Sequence, residues 1–493
     1  MDQLKEPLLE FVPELVLPDD PQANDSALSM RQIRDGDRFL SGAYDYHRRK
    51  GFKCVVATHC VNVSVVVVSA IMTWIVLMDV DWHAIATHKP NQSTNVWRPS
   101  HGSLDSRYVG FVEALMVSMS MHGAIVLVEA LKDISRMRHV RARMNEVLRL
   151  TDKQLRLMTW AELVHSILDA DVVGVSSIQD SRYVPARITR KDNYIAALVQ
   201  KNVLSVDVPW GLRWTGMGKH MTASQEWLLK NVIVTRALHN IETYRGDSDD
   251  HDVESMVADD SVLIRKYLVV AVVVLGVLGP FLSIGLVIQF ALHNAENIYK
   301  NPSGITGRQW NRLARWRFRS PNQLQHTQTQ HLERARVWGN AYVNQFGSFL
   351  ISVIMQFFSF FFTACIAVLI GISVVGNDAV EIELIGGRSV IWFIGLFGAL
   401  LAFTKGYIVP ETSVMMPDTI LEKTCQHLGV PVEEFPGGTN EEKCASFIGW
   451  FPNDIEDVVR EVLGRLWTPW VLALVWYART PRILRFIYKQ TFM

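Results

Sequence analysis

Two groups of residues in this chain have types and spacing suited to chemistry at a membrane. The first is a polar stripe in an otherwise apolar run. Ser348, Ser352, Gln356, Ser359 and Thr363 follow one another at steps of 4, 4, 3 and 4, so all five share one helical face. Phe, Ile, Val and Leu fill the other faces. Weaker stripes occur in two other apolar runs, with His59, Asn62, Ser69 and Thr73 in one, and Ser118, His122 and Glu129 in the other, where Glu113 lies opposite. The second group is basic. Between 293 and 345 lie Lys300, Arg308, Arg312, Arg315, Arg317, Arg319, Arg334 and Arg336, against only Glu296 and Glu333, with Trp310, Trp316 and Phe318 interleaved.

Each group has two readings. Small polar residues glue membrane helices together, and they also line hydrated paths. Gln356, His59, Glu113 and Lys405 favour the path, because an ionisable group at depth costs roughly 2.5–3.5 kcal/mol. Lys405 also fits a side chain that snorkels to the interface. The basic segment reads either as a solvated loop that sets topology or as a cluster facing anionic headgroups, where each Lys or Arg contributes about 1 kcal/mol.

The elements that must position these groups are long apolar runs: 54–78, 109–131, 262–292, 346–375 and 389–409. A helix of about 20 residues crosses the hydrocarbon core. Charge argues against five crossings. Arg48, Arg49 and Lys50 precede the first run, and Lys132, Arg136, Arg138, Arg141 and Arg143 follow the second, which puts both ends on the cytosolic side. A crossing at 262–292 would leave the Arg-rich segment lumenal. That run also holds Gly276, Gly279, Pro280 and Gly285, and proline removes a helical hydrogen bond. The expectation is a re-entrant hairpin turning near Gly279-Pro280. A second hairpin, broken at Pro469, is expected near 460–487, where an apolar stretch too short to span is rich in Trp and flanked by Arg.

The reading is therefore an all-α integral membrane protein with four transmembrane helices, two re-entrant hairpins and both termini cytosolic. Its parts are a tail over 1–37, two spans with a lumenal loop (79–108) over 38–131, a cytosolic helical region over 132–261, the hairpin at 262–292, and the basic cytosolic loop at 293–345. Two further spans over 346–409 and a cytosolic region over 410–493 complete it. Asn91-Gln92-Ser93 in the lumenal loop is a glycosylation candidate.

Composition bounds the rest. Lys plus Arg and Asp plus Glu balance at 49 each, which gives no whole-chain attraction to nucleic acid. The five cysteines form no C-x-x-C pair, so neither a zinc site nor a disulfide framework is expected. The first thirty residues are acidic and Pro-rich, and no cleaved signal is expected. No H-E-x-x-H or G-x-S-x-G occurs. Arg213 to His220 lacks the first Gly and the Ser/Thr of a phosphate loop, so no cofactor and no ATP coupling are expected.

Several strings resemble the autophagy-related protein 9 family. They are Tyr44-Asp45-Tyr46-His47 with Gly51-Phe52, Arg187-Ile188 through Asn193-Tyr194 to Leu198, and Lys300-Asn301-Pro302 followed by Arg308-Gln309-Trp310 and Ala314 to Arg319. Gln345-Phe346, Pro410-Glu411 and Thr468-Pro469 continue the likeness, which covers about 38–490. Departures include Gln323 and Gln325 in a segment that is acidic in the family, and Lys405 where the family carries Arg.

The resemblance implies a domain-swapped homotrimer with a hydrated pore. It implies ATP-independent scrambling of phospholipids, without covalent chemistry, on vesicles that seed the autophagosome. It also implies residence on autophagy vesicles, phagophore, trans-Golgi and endosomal membranes. The implied partners are phospholipids, an autophagy lipid-transfer protein and initiation-complex components, with no nucleic acid. On this reading Lys300, Asn301, Arg308, Arg315 and Arg319 gather headgroups, while Ser352, Gln356, Ser359, Thr404 and Lys405 line the path. An ion or small-solute channel and a non-catalytic vesicle scaffold are the rival readings.

Overall fold

The computed structural model describes residues 23–81, 97, 105–169, 183–204, 206–207, 219–244, 250–300, 307–347, 349–375, 383–385, 388–405, 408 and 416–490. The chain is helical almost throughout. Helix α1 (Ala23–Arg48) leads through Gly51, whose φ of 95° lies where L side chains rarely go, into α2 (Phe52–Trp74). Its Val, Ile and Ala content continues for one wider turn, Ile75–Asp79. Helix α3 (Ser106–Val147) starts where the Asp105 side chain accepts from the Arg107 amide, 3.1 Å away. It runs past its apolar part into a basic extension. Short helices α4 (Asp152–Leu157) and α5 (Trp160–Asp169) precede α6 (Tyr183–Gln200). Next come α7 (Ala223–Leu228), capped by a reciprocal Thr222–Gln225 pair, and α8 (Thr235–Tyr244).

Helix α9 (Asp250–Lys300) corrects the first hairpin expectation. It continues unbroken through Gly279-Pro280. Proline at 280 leaves the Gly276 carbonyl without its helical donor, and the turn that follows is braced: Ser283 donates to the Gly279 carbonyl at 2.8 Å, and Arg465 of the neighbouring helix donates to the Leu282 carbonyl at 3.2 Å.

The partner run, α16 (Asp454–Trp470) continued by the wider turns of Val471–Trp476 into α17 (Tyr477–Lys489), does not reverse at Pro469 either. The two runs lie antiparallel, with Arg485 on Glu254 (2.9 Å), Arg265 on the Tyr477 carbonyl (3.1 Å) and Arg465 level with Leu282. Gly279 lies in this contact, where a Cβ would sit 3.4 Å from the Arg465 carbonyl oxygen, while Gly464 on α16 admits Thr222, since a Cβ there would sit 2.5 Å from Thr222 Cγ2.

Between these runs lie α10 (Arg312–Arg317), α11 (Gln325–Asn344), α12 (Phe349–Val375), strands β1 (Glu383–Ile385) and β2 (Arg388–Ser389), α13 (Val390–Lys405), α14 (Pro417–Leu428) and α15 (Asn440–Trp450). The strands pair antiparallel, Glu383 with Ser389 and Ile385 with Arg388.

Three cores hold the fold. The largest joins α6, α8, α9, α10, α16 and α17 through Tyr194, Leu198, Ile264, Leu268, Trp316 and Trp476. A second joins α1, α3, α4 and α5 through Leu40, Tyr46, Met137 and Leu163. The third is aromatic and joins α11, α14 and α15 through Trp310, Tyr342, Phe435, Phe447 and Phe451. Helices α12 and α13 contribute to none of them and pack on each other.

Among the described residues, four helices are long and apolar enough to cross a membrane: Phe52–Asp79, Ser106–Glu146, Val253–Leu292 and Leu350–Gly371. Val390–Lys405 is a shorter apolar helix.

Candidate functional site

The polar stripe lies in the α12–α13 hairpin. Phe362 stacks on Phe397 with centroids 5.9 Å apart, and this antiparallel register brings Thr404 level with Met355, within one helical turn of Ser352. Ser352 and Thr404 are buried, at 0% and 4% exposure, while Phe360 on the outer face is 73% exposed. Gln356 and Ser359 are half-buried and continue the seam. Thr363 is exposed and donates to the Ser359 carbonyl (2.7 Å), and Thr404 donates to the Leu401 carbonyl (2.9 Å). Lys405 is exposed at the helix end. The hairpin therefore carries Ser352, Gln356, Ser359 and Thr404 as buried or half-buried polar groups beside exposed apolar faces, whereas Thr363 of the expected stripe is exposed and Ser348 lies outside the described residues.

The basic segment has a different fate. Trp310, Trp316 and Phe318 are buried core residues, so the arginines between them are drawn inward with the backbone. Asn311 caps α10 by accepting from the Ala314 amide at 2.8 Å. Arg312 then reaches Glu226 (2.7 Å), and Arg317 clamps Glu434 with two bonds of 2.6 and 3.0 Å.

Arg319, expected to gather headgroups, is 4% exposed. It donates to Gln328 Oε1 and the Gln323 carbonyl, both at 2.8 Å, and pairs with Asp192 at 3.0 Å. Burial holds its guanidinium below the usual arginine range, against the opposing pull of the Asp192 charge. Arg308 is half-buried and donates to the Phe451 carbonyl (3.3 Å), and burial likewise lowers its pKa. Arg315 is the exposed member of the group. The side chain of Lys300, and Asn301 and Asn91, lie outside the described residues. The headgroup-facing cluster is thus corrected at Arg319, which serves the protein interior. The basic segment and the polar seam also belong to different packing units.

The basic segment does share one side of the molecule with α1, α6 and α7. Asn193 donates to Asn322 (2.8 Å), Trp316 donates to Glu226 (2.9 Å) and Tyr44 bonds His326 (2.8 Å). Each end of α9 is held by its own partners. Asp260 near its start accepts from Arg236 (3.2 Å) and Asn240 (2.7 Å), while Arg308 beyond its end reaches Phe451.

Sequence reasoning missed Asp133. Its carboxylate collects Arg49, His59 (2.8 Å) and Arg136 (2.8 Å). The usable signal was the lone acid directly after Leu131-Lys132, opposite the basic run 48–50.

This architecture, with its apolar helices and a polar seam between two of them, defines a polytopic α-helical membrane protein. The chain belongs to the ATG9 family: the family model for Autophagy protein ATG9 matches residues 28–493. Relatives named Autophagy-related protein 9 include that of Dictyostelium discoideum, 26% identical over 91% of this chain and 63% of the relative, and that of Arabidopsis thaliana, 23% identical over 94% and 56%. The chain spans between about half and two thirds of the length of the curated relatives it matches. The cryo-EM structure of Schizosaccharomyces pombe Atg9 shares the fold at a TM-score of 0.60 and 20% identity, covering 94% of this chain and 95% of that one.

Proposed function

We propose that this protein is an ATP-independent phospholipid scramblase that equilibrates leaflets of autophagy vesicles and lets the autophagosomal membrane grow. The observation that carries the reading is the polar seam of Ser352, Gln356, Ser359 and Thr404 inside a hairpin whose outer faces are apolar. A zwitterionic headgroup cannot cross hydrocarbon unaided, because burying unpaired charge is costly. The seam supplies substitute partners while the acyl tails remain in lipid. Lys405, exposed at the end of α13, meets headgroups at the end of the path, and the exposed Arg315 attracts them from the separate basic segment.

The same hairpin supports a homotrimer with exchanged helices, since α12 and α13 pack on each other and leave large faces for a neighbouring subunit. The resemblance adds a bridge-like autophagy lipid-transfer protein and initiation-complex components as partners, and autophagy vesicles, phagophore, trans-Golgi and endosomes as locations, with both termini cytosolic.

The test is reconstitution into liposomes carrying a lipid reporter and an ion reporter together. Replacing Gln356, Thr404 and Lys405 with Leu should slow lipid exchange at least tenfold, a barrier rise of about 1.4 kcal/mol, with no ion flux in either protein. Unchanged lipid exchange in an intact oligomer overturns the role of these residues. Ion flux in the unaltered protein favours the channel, and no lipid movement at all favours the scaffold.

A further inference from the structure

A cavity of about 1060 Å³ opens between α1, the basic extension of α3, α6 and the start of α8. It lies apart from the α12–α13 seam. Its wall carries eight Lys and Arg side chains and three Asp. The aspartates are engaged, Asp45 by Arg136 (3.0 Å), Asp37 by Arg187 (2.5 Å) and Asp192 by both Lys230 (3.3 Å) and Arg319 (3.0 Å). However these pairs are drawn, three carboxylates cannot neutralise eight cations. Asp133 also holds Arg136, and among the described lining residues basic side chains outnumber carboxylates by eight to three. Concentrating the cations around one concavity raises the local concentration of anions.

Size and chemistry narrow the ligand. The volume is at the upper end of small-molecule sites, far more than one phosphate needs. Ser41, Thr235 and Gln325 offer hydroxyl and amide groups on the same wall. The aromatic lining residues Phe39 and Tyr44 are both buried, so no open ring face awaits a nucleobase.

Depth adds a further restriction. Arg136 and Arg143 lie five and twelve residues past Leu131, the end of the apolar part of α3. That is about 8 and 18 Å along a helix, whereas a headgroup layer is only roughly 5–8 Å thick. The cavity thus begins at the headgroup layer and extends well beyond it. An ordinary phosphodiester does not fill it.

We propose that this cavity binds a polyol carrying several phosphates, either free in solution or as the tall headgroup of a polyphosphorylated lipid. The exposed rim residues Arg38, Arg143 and Lys191 set much of the attraction. The site is independent of lipid scrambling and stands or falls separately.

The experiment uses the full chain in nanodiscs at 150 mM salt. Myo-inositol hexakisphosphate is the soluble probe. Discs containing phosphatidylinositol bisphosphate, or phosphatidylserine at matched charge, are the lipid arms. Saturable binding of one probe per protomer is expected. Arg38→Ala, Arg143→Ala and Lys191→Ala together should weaken it roughly a hundredfold. A control with Arg138→Ala, Lys153→Ala and Lys201→Ala, exposed and outside the cavity, should change it less than threefold. Arg143→Gln alone is the milder second variant, expected to weaken binding about fivefold.

Probe binding displaced by the bisphosphate discs but not by phosphatidylserine assigns a lipid source. Binding unaffected by either assigns a soluble source. No saturable binding, or an equal loss in the control, overturns the proposal.

Discussion

Replacing Arg319 with Leu should damage folding, not lipid handling. The guanidinium is buried and holds three groups from three parts of the chain: Gln328, the Gln323 carbonyl and Asp192. Hydrogen bonds to a charged donor contribute about 1.5–3 kcal/mol each. Removing one member of a buried ion pair costs about 3–5 kcal/mol, because its partner is left uncompensated. Asp192 keeps Lys230 at 3.3 Å and is partly exposed, so the lower end of that range applies. Leucine also cannot offer donors to Gln328 or to the Gln323 carbonyl. The expected loss is about 3 kcal/mol, which lowers the melting temperature of a chain of 493 residues by roughly 3 °C.

The comparison variant is Arg315→Leu, in the same segment but exposed, expected to change stability by no more than about 0.5 kcal/mol. Thermal unfolding of both purified proteins in the same detergent, followed by loss of the oligomer peak, reads the difference directly. Equal melting temperatures for the two variants would refute the reasoning, as would impaired lipid exchange by R319L at full stability.

Two further outcomes follow from titrations outside the apolar helices. Burial, reinforced by Glu433, Glu422 and Glu434, pushes the Cys425 thiol up to about 12, and burial pushes Cys444 up to about 11 despite the nearby Arg308 charge. Since the thiolate is the reactive form, neither should be alkylated at pH 7.5 in the native protein, and both should label after denaturation. Native labelling at the rate of a small thiol counts against the aromatic core around them. His326 and His331 are each held below 6.5 by burial, the first also by His47 and Arg48 and the second by Arg334 and His427. Their unfolded forms take up protons that the folded forms refuse. Stability should therefore be full above about pH 6.5 and fall as pH drops through the window below it. A melting series from pH 7.5 to 5.5 should slope downward, less steeply in His326→Gln, and a flat series contradicts it.

Much of the fold was legible because its signals are local. Apolar length, the steps of 4, 4, 3 and 4 along α12, the turn at Gly51 and the caps at Asp105 and Asn453 lie within a few residues of what they govern. The failures share one cause, which is that the deciding group lay far along the chain. Gly279-Pro280 reads as a breaking point in isolation. The carbonyl of Leu282 meets Arg465 only after folding, across 183 residues. The Arg-rich segment looks unpaired because its acids lie outside 293–345, on both sides of it. Its acids are Asp192, Glu226 and Glu434, and Arg317 and Glu434 are 117 positions apart. The buried Trp310 and Trp316 were the visible hint, since two indoles in so short a stretch are costly to leave in water.

That same accounting separates structural arginines from those available to a ligand. Where a basic side chain sits among Trp310, Trp316 and Phe318, the fold brings a distant carboxylate or carbonyl to it, and little charge is left over. Around the cavity between α1, α3 and α6 distant aspartates are brought in as well, but the described lining holds eight Lys and Arg against three Asp, each already paired. An uncompensated concentration of like charge weakens the folded state through self-repulsion, so a bound polyanion should stabilise this region more than any other part of the chain. Added hexakisphosphate should accordingly raise the melting temperature in a concentration-dependent way. The gain should vanish when Arg38, Arg143 and Lys191 are lost and persist when Arg138, Lys153 and Lys201, outside the cavity, are replaced.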